Sequence, residues 1–274
     1  MDLSQALEIA SHTDPGMVRA HNEDSIASVP DKGLVVLADG MGGYNAGEVA
    51  SGMATTVLTT ELRQLLENQA PYALDRQSGQ RVALQMLQQQ IAKANTAIYQ
   101  ASHSQPQYAG MGTTLVVTLF YDNKVMVAHI GDSRLYRMRG DEFSQVSKDH
   151  SLLQEQIDAG MLTREQAKLS SNKNLVTRAL GIDPAVEPEI HEYDTRPADI
   201  YLLCSDGLSD MVRDEDTGMT LQALGANLNL AAQQLVQMAN DNGGRDNISA
   251  ILIKILREYP AATGLASKFF GWFR

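Results

Sequence analysis

The sequence predicts an α+β fold built on antiparallel sheets. Two long helical patterns come early, and short apolar runs that pair as hairpins follow them. Helices and strands do not alternate strictly, which argues against a doubly wound parallel sheet. No internal repeat interrupts this order.

The helical patterns come first. Ala50, Met53, Ala54, Val57, Leu58, Leu62 and Leu65 recur at three- and four-residue spacing, as do Leu84, Leu87, Ile91, Ala94 and Ile98. Each set makes one apolar helix face. The polar stretch 68–79 between them reads as a loop. Short runs rich in Val, Ile and Leu at 34–38, 114–120, 125–130, 200–204 and 248–255 read as buried strands. Tyr121-Asp122-Asn123-Lys124 is a plausible hairpin connection between two of them. Thr163 to Gln166 forms a capping-box pattern that opens a short helix. Asn229 reads as the cap of a later helix that runs to about Asn240 and is ended by Gly243 and Gly244. No stretch resembles an interdomain linker. The expected organisation is one domain over residues 1–258 and a short Phe-rich tail over 259–274.

Composition narrows the function. Of 274 residues, 43% are hydrophobic, enough for a sizeable core. Lys and Arg total 22 against 33 Asp and Glu, a net charge of −11. That balance argues against nucleic acid or an anionic membrane as the main partner. The one cysteine, Cys204, allows no disulfide within the chain and no cysteine-based zinc site. The first residues lack a basic stretch leading into an apolar one, and no apolar run reaches the ~20 residues of a membrane helix. The expected setting is soluble and cytoplasmic.

The main chemical signal is where the carboxylates stand. Asp39 follows the run 34–38, Asp132 comes two residues after Ile130, Asp206 two after Cys204, and Asp246 two before Ile248. Glycine adjoins the first three. Any one Asp-Gly pair reads as a turn. Four acids at the ends of buried strands read as a site, because a carboxylate at the edge of a core calls for a cation. Oxygen ligands without cysteine favour Mg²⁺ or Mn²⁺ over zinc. Four or more carboxylates point to two ions, typically ~3.5–4 Å apart. Arg19, followed by Asn22-Glu23-Asp24, offers a guanidinium fork for phosphate oxygens and two further carboxylates.

Other phosphate chemistries fail on spacing. Gly40-Met41-Gly42-Gly43-Tyr44-Asn45 does not complete a dinucleotide fingerprint, and Gly47 is followed by Glu48 where a P-loop needs Lys. A thiol phosphatase needs Arg close after its cysteine, whereas the first Arg after Cys204 is Arg213. Ser205 lacks the setting of a hydrolase nucleophile.

Taken in order, the segments resemble the metal-dependent Ser/Thr protein phosphatases (PPM, type 2C), especially the compact bacterial members. The carriers are Thr13-Asp14-Pro15-Gly16-Met17-Val18-Arg19 with Asn22-Glu23-Asp24, Ala38-Asp39-Gly40-Met41-Gly42-Gly43 with Gly47-Glu48-Val49-Ala50-Ser51, and Gly112-Thr113-Thr114. Gly131-Asp132-Ser133-Arg134, Asp149-His150-Ser151, Cys204-Ser205-Asp206-Gly207-Leu208 and Gly244-Arg245-Asp246-Asn247-Ile248 complete the set. The resemblance implies a four-layer α-β-β-α sandwich of two antiparallel sheets flanked by helices. It implies that Asp39 bridges two Mn²⁺ or Mg²⁺ ions, with the Gly40 carbonyl on one ion and Asp206 and Asp246 on the other. Asp132 with Asp206 would form a third metal site. Arg19 would bind the substrate phosphate. Asp24 and Glu23 would orient metal-bound water, and Asn247 would stand in the outer shell. The implied reaction is hydrolysis of phosphoserine and phosphothreonine in proteins by a hydroxide bridging the two ions, with no phosphoenzyme. It would oppose a bacterial Ser/Thr protein kinase, in a monomer. The alternatives are a phosphatase of small phosphoesters and an inactive pseudophosphatase serving as a binding module; the latter predicts missing aspartates, and none is missing.

One departure stands out. Many members carry a His two or five residues after the first aspartate, where this sequence has Met41 and Tyr44. Water, or else His150, is then the donor to the leaving oxygen. His129, inside an apolar strand, reads as a core residue. Residues 151–174 correspond to the family's variable flap. The tail carries Phe269, Phe270 and Phe273, three of five Phe, and the only Trp, Trp272, between Lys268 and Arg274. It reads as a docking or membrane-surface element, or as a segment packed on the domain.

Overall fold

Strands buried on both faces explain why the apolar runs are so continuous. The structure, a computed structural model, describes residues 2–43, 46–163, 166–167 and 175–261. Strand β3 (Leu34–Met41) shows the principle. Leu34, Val36 and Ala38 pack toward helices, while Val35 and Leu37 pack toward the opposing sheet. This is the two-residue period of a strand with apolar neighbours on both sides.

The first sheet has the order β1–β11–β10–β7–β8, from strands β1 (Leu7–Asp14), β7 (Arg134–Arg139), β8 (Glu142–Gln145), β10 (Ile200–Cys204) and β11 (Ile248–Ile255). The second has the order β2–β3–β5–β6–β9, from β2 (Asp24–Val29), β3, β5 (Leu115–Tyr121), β6 (Lys124–Ile130) and β9 (Glu189–Asp194); the short β4 (Gly112–Thr113) pairs with β3. Every pairing of these strands is antiparallel. Helices α1 (Ala46–Asn68) and α2 (Val82–Ser104) cover the second sheet through Ala54, Leu58, Leu87 and Ile91. Two further short helices, α3 (Leu152–Asp158) and α4 (Asp206–Ser209), precede α5 (Asp214–Leu224) and α6 (Leu228–Asp241). Leu221, Leu228, Ala232 and Leu235 of the last two cover the first sheet. Between the sheets lie Val116, Phe120, Leu135, Tyr201, Leu203, Ile251 and Ile253. The result is the α-β-β-α sandwich.

The β5–β6 connection is a tight hairpin turn with Asp122 at φ 49° and Asn123 at φ 56°. Two successive left-handed residues are the signature of a type I′ turn, and both side chains tolerate it. The capping box forms as expected: Gln166 N–H donates to Thr163 Oγ1 (3.2 Å) and Thr163 N–H to Gln166 Oε1 (2.8 Å). The cap of the last helix is Asn227 rather than Asn229; its side-chain oxygen accepts from Leu230 N–H at 3.1 Å. Leu228 is fully buried, so the first turn must start there, and Asn229 falls inside it. Packing also runs past residue 258, since Tyr259 and Ala261 are buried.

Register aligns the acids at one end of the sandwich. Asp24 sits opposite Asp39, Cys204 opposite both Ala250 and Arg134, and Asp14 opposite Ile248. The loops carrying Asp132, Asp206 and Asp246 therefore leave both sheets at the same end.

Candidate metal centre

Asp39 lies within β3 rather than just after it, because the strand continues to Met41. Its backbone is clamped: Asp39 N–H donates to Thr114 Oγ1 (3.1 Å), and its carbonyl accepts from Thr114 N–H (2.9 Å) and Thr113 Oγ1 (2.8 Å). Asp24, on the neighbouring strand, has one carboxylate oxygen that accepts from Ser205 (2.8 Å) and Ser249 (2.7 Å). The other, Oδ1, is buried with no hydrogen-bond partner. Asp206 opens α4, and Asp246 precedes β11. Their loops are pressed together at Gly207, where a Cβ would lie 2.1 Å from the Asn247 carbonyl oxygen. Gly40 and Gly47 make the same kind of approach between β3 and the start of α1: a Cβ on Gly40 would lie 2.1 Å from the Gly47 carbonyl oxygen. Only glycine allows this spacing.

The electrostatics show that these acids converge. Burial raises Asp39 well above the usual carboxylate range, and Asp24, Asp206, Asp132 and Asp246 each raise it further. Asp206 is raised in the same way, by burial first and then by Asp132, Asp210, Asp246 and Asp24. Burial pushes Asp24 up to about 7 against the lowering effect of its two serine donors. Asp132 is pushed to about 6, by burial first and then by Asp149. Glu23 is raised, mainly by burial. So many mutually repelling carboxylates in one place require compensating positive charge. Arg19 supplies some of it, donating to Asp246 at 2.7 Å, with half of its side chain exposed. The oxygen-only donor set and the orphaned Asp24 Oδ1 suit hard divalent cations.

Around this cluster, Glu23 O accepts from Gly40 N–H (3.1 Å) and Ser51 Oγ (2.6 Å). Asn247 ties down the loop that carries Arg19: its Oδ1 accepts from Glu23 N–H (2.8 Å), and its Nδ2 donates to the carbonyls of Pro15 and His21 (2.9 Å each). Its carboxamide is thus committed to backbone. Asp210, one helical turn past Asp206, raises both Asp206 and Asp132. The sequence offered one signal for it, the four-residue spacing from Asp206.

His150 faces away from open space. Its Nδ1 accepts from Gly131 N–H at 3.2 Å, its Nε2 points to Glu189 at 3.5 Å, and its ring stacks on His129 with centroids 4.8 Å apart. His129 is buried and donates to the Lys148 carbonyl at 2.8 Å. Tyr44, residues 164–165 and 168–174 of the flap segment, and the aromatic residues 269–273 lie outside the described residues.

Comparison with known proteins agrees with this geometry. The family model described as protein phosphatase 2C matches residues 11–253. The chain belongs to the protein phosphatase 2C family. Among its relatives is the serine/threonine protein phosphatase PstP of Mycobacterium tuberculosis, 37% identical over 250 residues, which is 91% of this chain and 45% of PstP. The chain thus spans less than half the length of PstP. The serine/threonine phosphatase stp of Listeria innocua is 34% identical over 245 residues, 88% of this chain and 93% of that one. The crystal structure of the PstP catalytic domain in complex with two manganese ions is 37% identical, with a TM-score of 0.78, over 92% of this chain and 99% of that one.

Proposed function

We propose that this protein phosphatase 2C family member hydrolyses phosphoserine and phosphothreonine in proteins, using two divalent cations, Mn²⁺ or Mg²⁺, held by its carboxylate cluster. The observation that carries this reading is the convergence of Asp24, Asp39, Asp132, Asp206 and Asp246 at one end of the sandwich, each of the first four raised by burial among acids. Asp39, the Gly40 carbonyl, Asp206 and Asp246 would hold the two core ions, and Asp132 with Asp206 would hold a third. Glu23 and Asp24 orient water, and Asn247 positions their loop. When bound, the cations neutralise the carboxylates and supply a water acidic enough to attack a phosphate ester near neutral pH.

The chain's own residues do the rest. Arg19 lies beside Asp246 and swings its guanidinium fork onto the substrate phosphate. Leaving-group protonation falls to water, since Met41 has no proton to give and both nitrogens of His150 are engaged. For His150→Ala we expect the alkaline limb of the kcat–pH profile to be retained, with kcat lowered only through looser support of Gly131; loss of that limb would make His150 the acid.

The setting that goes with this reading is the cytoplasm of a bacterium, where a monomer opposes a Ser/Thr protein kinase. The bacterial relatives, named as serine/threonine phosphatases, support the bacterial setting, and the single cysteine suits a reducing compartment. Among the described residues no helix is long and apolar enough to cross a membrane. Retention of every metal-site aspartate speaks against a pseudophosphatase.

The test is steady-state kinetics on a phosphothreonine peptide and on a small aryl phosphate. Arg19→Ala is expected to raise KM for the peptide by about tenfold, the low end for a charge-assisted bond at an exposed position, with a smaller change in kcat. Comparable kcat/KM for both substrates in the parent protein would favour a small-phosphoester phosphatase instead.

A further inference from the structure

A cavity of about 410 Å³ lies between α3 and the segment that runs from α4 into α5. It adjoins the metal centre. Asp210, in its wall, comes four residues after Asp206, about 6 Å along the helix. Asp149, also in its wall, raises Asp132 together with Asp210.

The lining is of two kinds. Leu153 and Ile157 from α3, with Met211 and Val212 from the α4–α5 segment, make its apolar part. Its charged part sets four carboxylates, Asp149, Asp210, Asp214 and Glu215, against two guanidinium groups, Arg134 and Arg213. Both guanidinium groups are already committed. Arg134 donates to Asp149 at 3.0, 3.1 and 2.7 Å, and to the Tyr136 hydroxyl at 2.9 Å. Arg213 donates to Asp216 at 2.8 and 3.0 Å, and Asp216 stands outside the lining. The balance that meets an incoming group is therefore negative. The wall is also held in place, because the Tyr136 hydroxyl donates on to Asp214 Oδ1 at 3.0 Å. Asp214 and Glu215 are exposed at the start of α5.

We infer that this cavity receives a basic side chain, arginine or lysine, of the phosphoprotein substrate, two or three positions from the phosphorylated residue. The inference rests on the phosphatase reading above. A long aliphatic stem with a cationic head matches apolar walls that carry carboxylates. An acidic side chain or a second phosphate would meet repulsion, with both lining guanidinium groups held by Asp149 and Asp216. An apolar side chain would take water from the carboxylates without pairing them. Spacing sets the position. In an extended peptide, residues two or three positions apart lie about 7–11 Å apart, enough to pass from the metal ligand Asp206 to beyond Asp210. The volume falls within the range of ligand pockets. A wall already fixed by hydrogen bonds needs little ordering when the side chain enters.

The test compares kcat/KM for a phosphothreonine peptide with alanine flanks and for versions with Arg or Glu at the second or third position on either side. The readout is the Arg-to-Ala ratio within one Mn²⁺-loaded protein, which cancels any general change in catalysis. In the parent protein we expect Arg to exceed Ala by about fivefold at one or more of these positions, the upper end for an exposed ion pair, and Glu to fall below Ala. Asp214→Asn/Glu215→Gln keeps both side-chain sizes and the acceptor for Tyr136, and is expected to bring the ratio close to one. Glu215→Lys, a single change at an exposed position, is expected to favour Glu over Arg and serves if the double variant fails to fold. Equal kcat/KM for all peptides in the parent overturns the inference and leaves the phosphatase reading standing, as does a preference that neither variant moves. No turnover of any peptide by the parent overturns both.

Discussion

Asp39→Asn is expected to abolish phosphopeptide turnover while making the metal-free protein more stable. The two effects have one origin. Asp39 is raised by burial and by four neighbouring acids, so its charge is held against repulsion. Asparagine is nearly the same size and keeps the backbone clamp to Thr113 and Thr114, but it removes that charge. Without cations, this relieves the cluster. With cations, it would remove a carboxylate proposed to hold the core ions. Loss of a group that merely supports a metal ligand costs about 10–100-fold. Loss of a ligand itself should exceed that, by roughly 10³-fold or more in kcat. The check is the combination of a raised melting temperature in chelator and lost activity in Mn²⁺. A residue with only a structural role would lower the first.

The metal-free protein is expected to lose stability as pH rises from about 4 through 7, and added cations are expected to restore it. The sign follows from proton binding. An unfolded Asp ionises near pH 3.9. In the folded state Asp24 does so at about 7 and Asp132 at about 6, with Asp39 and Asp206 raised in the same direction. The folded state therefore holds more protons in this window, and stability falls as they are lost. Each such proton weakens the fold by roughly 1.4 kcal/mol for every pH unit climbed between the unfolded and folded pKa. Cations present at 100 times their Kd would return about 2.7 kcal/mol per site. For a domain of this size that is on the order of 5–10 °C in Tm. Thermal melts at pH 5, 6, 7 and 8, with chelator and with Mn²⁺, measure both. A flat or rising Tm with pH in chelator would contradict the charge assignment.

How much of this was legible in the sequence follows from burial. Strands such as β3, β10 and β11 are covered on both faces and read as unbroken apolar runs. Edge and half-buried strands were not legible. β1 and β2 mix exposed and buried residues, β9 has no fully buried residue, β8 is short and polar, and β7 carries three arginines among its six residues. The acids at strand ends were visible because each follows or precedes a buried run. Their supports were not. Ser205 and Ser249 reach Asp24 across 181 and 225 residues, and nothing local marks a serine as a carboxylate's donor. The helix cap falls on Asn227 rather than Asn229 because two asparagines flank Leu228, and only tertiary burial of that leucine decides between them.

Hydrolysis of a phosphothreonine peptide by metal-stripped protein titrated with Mn²⁺, run beside Asp206→Asn, tests whether the carboxylate cluster works through two cations. No turnover is expected in chelator, with activity rising as two ions bind per chain and both the second ion and the activity lost in the variant. Turnover that persists in chelator, or that Asp206→Asn leaves intact, would contradict the two-cation reading.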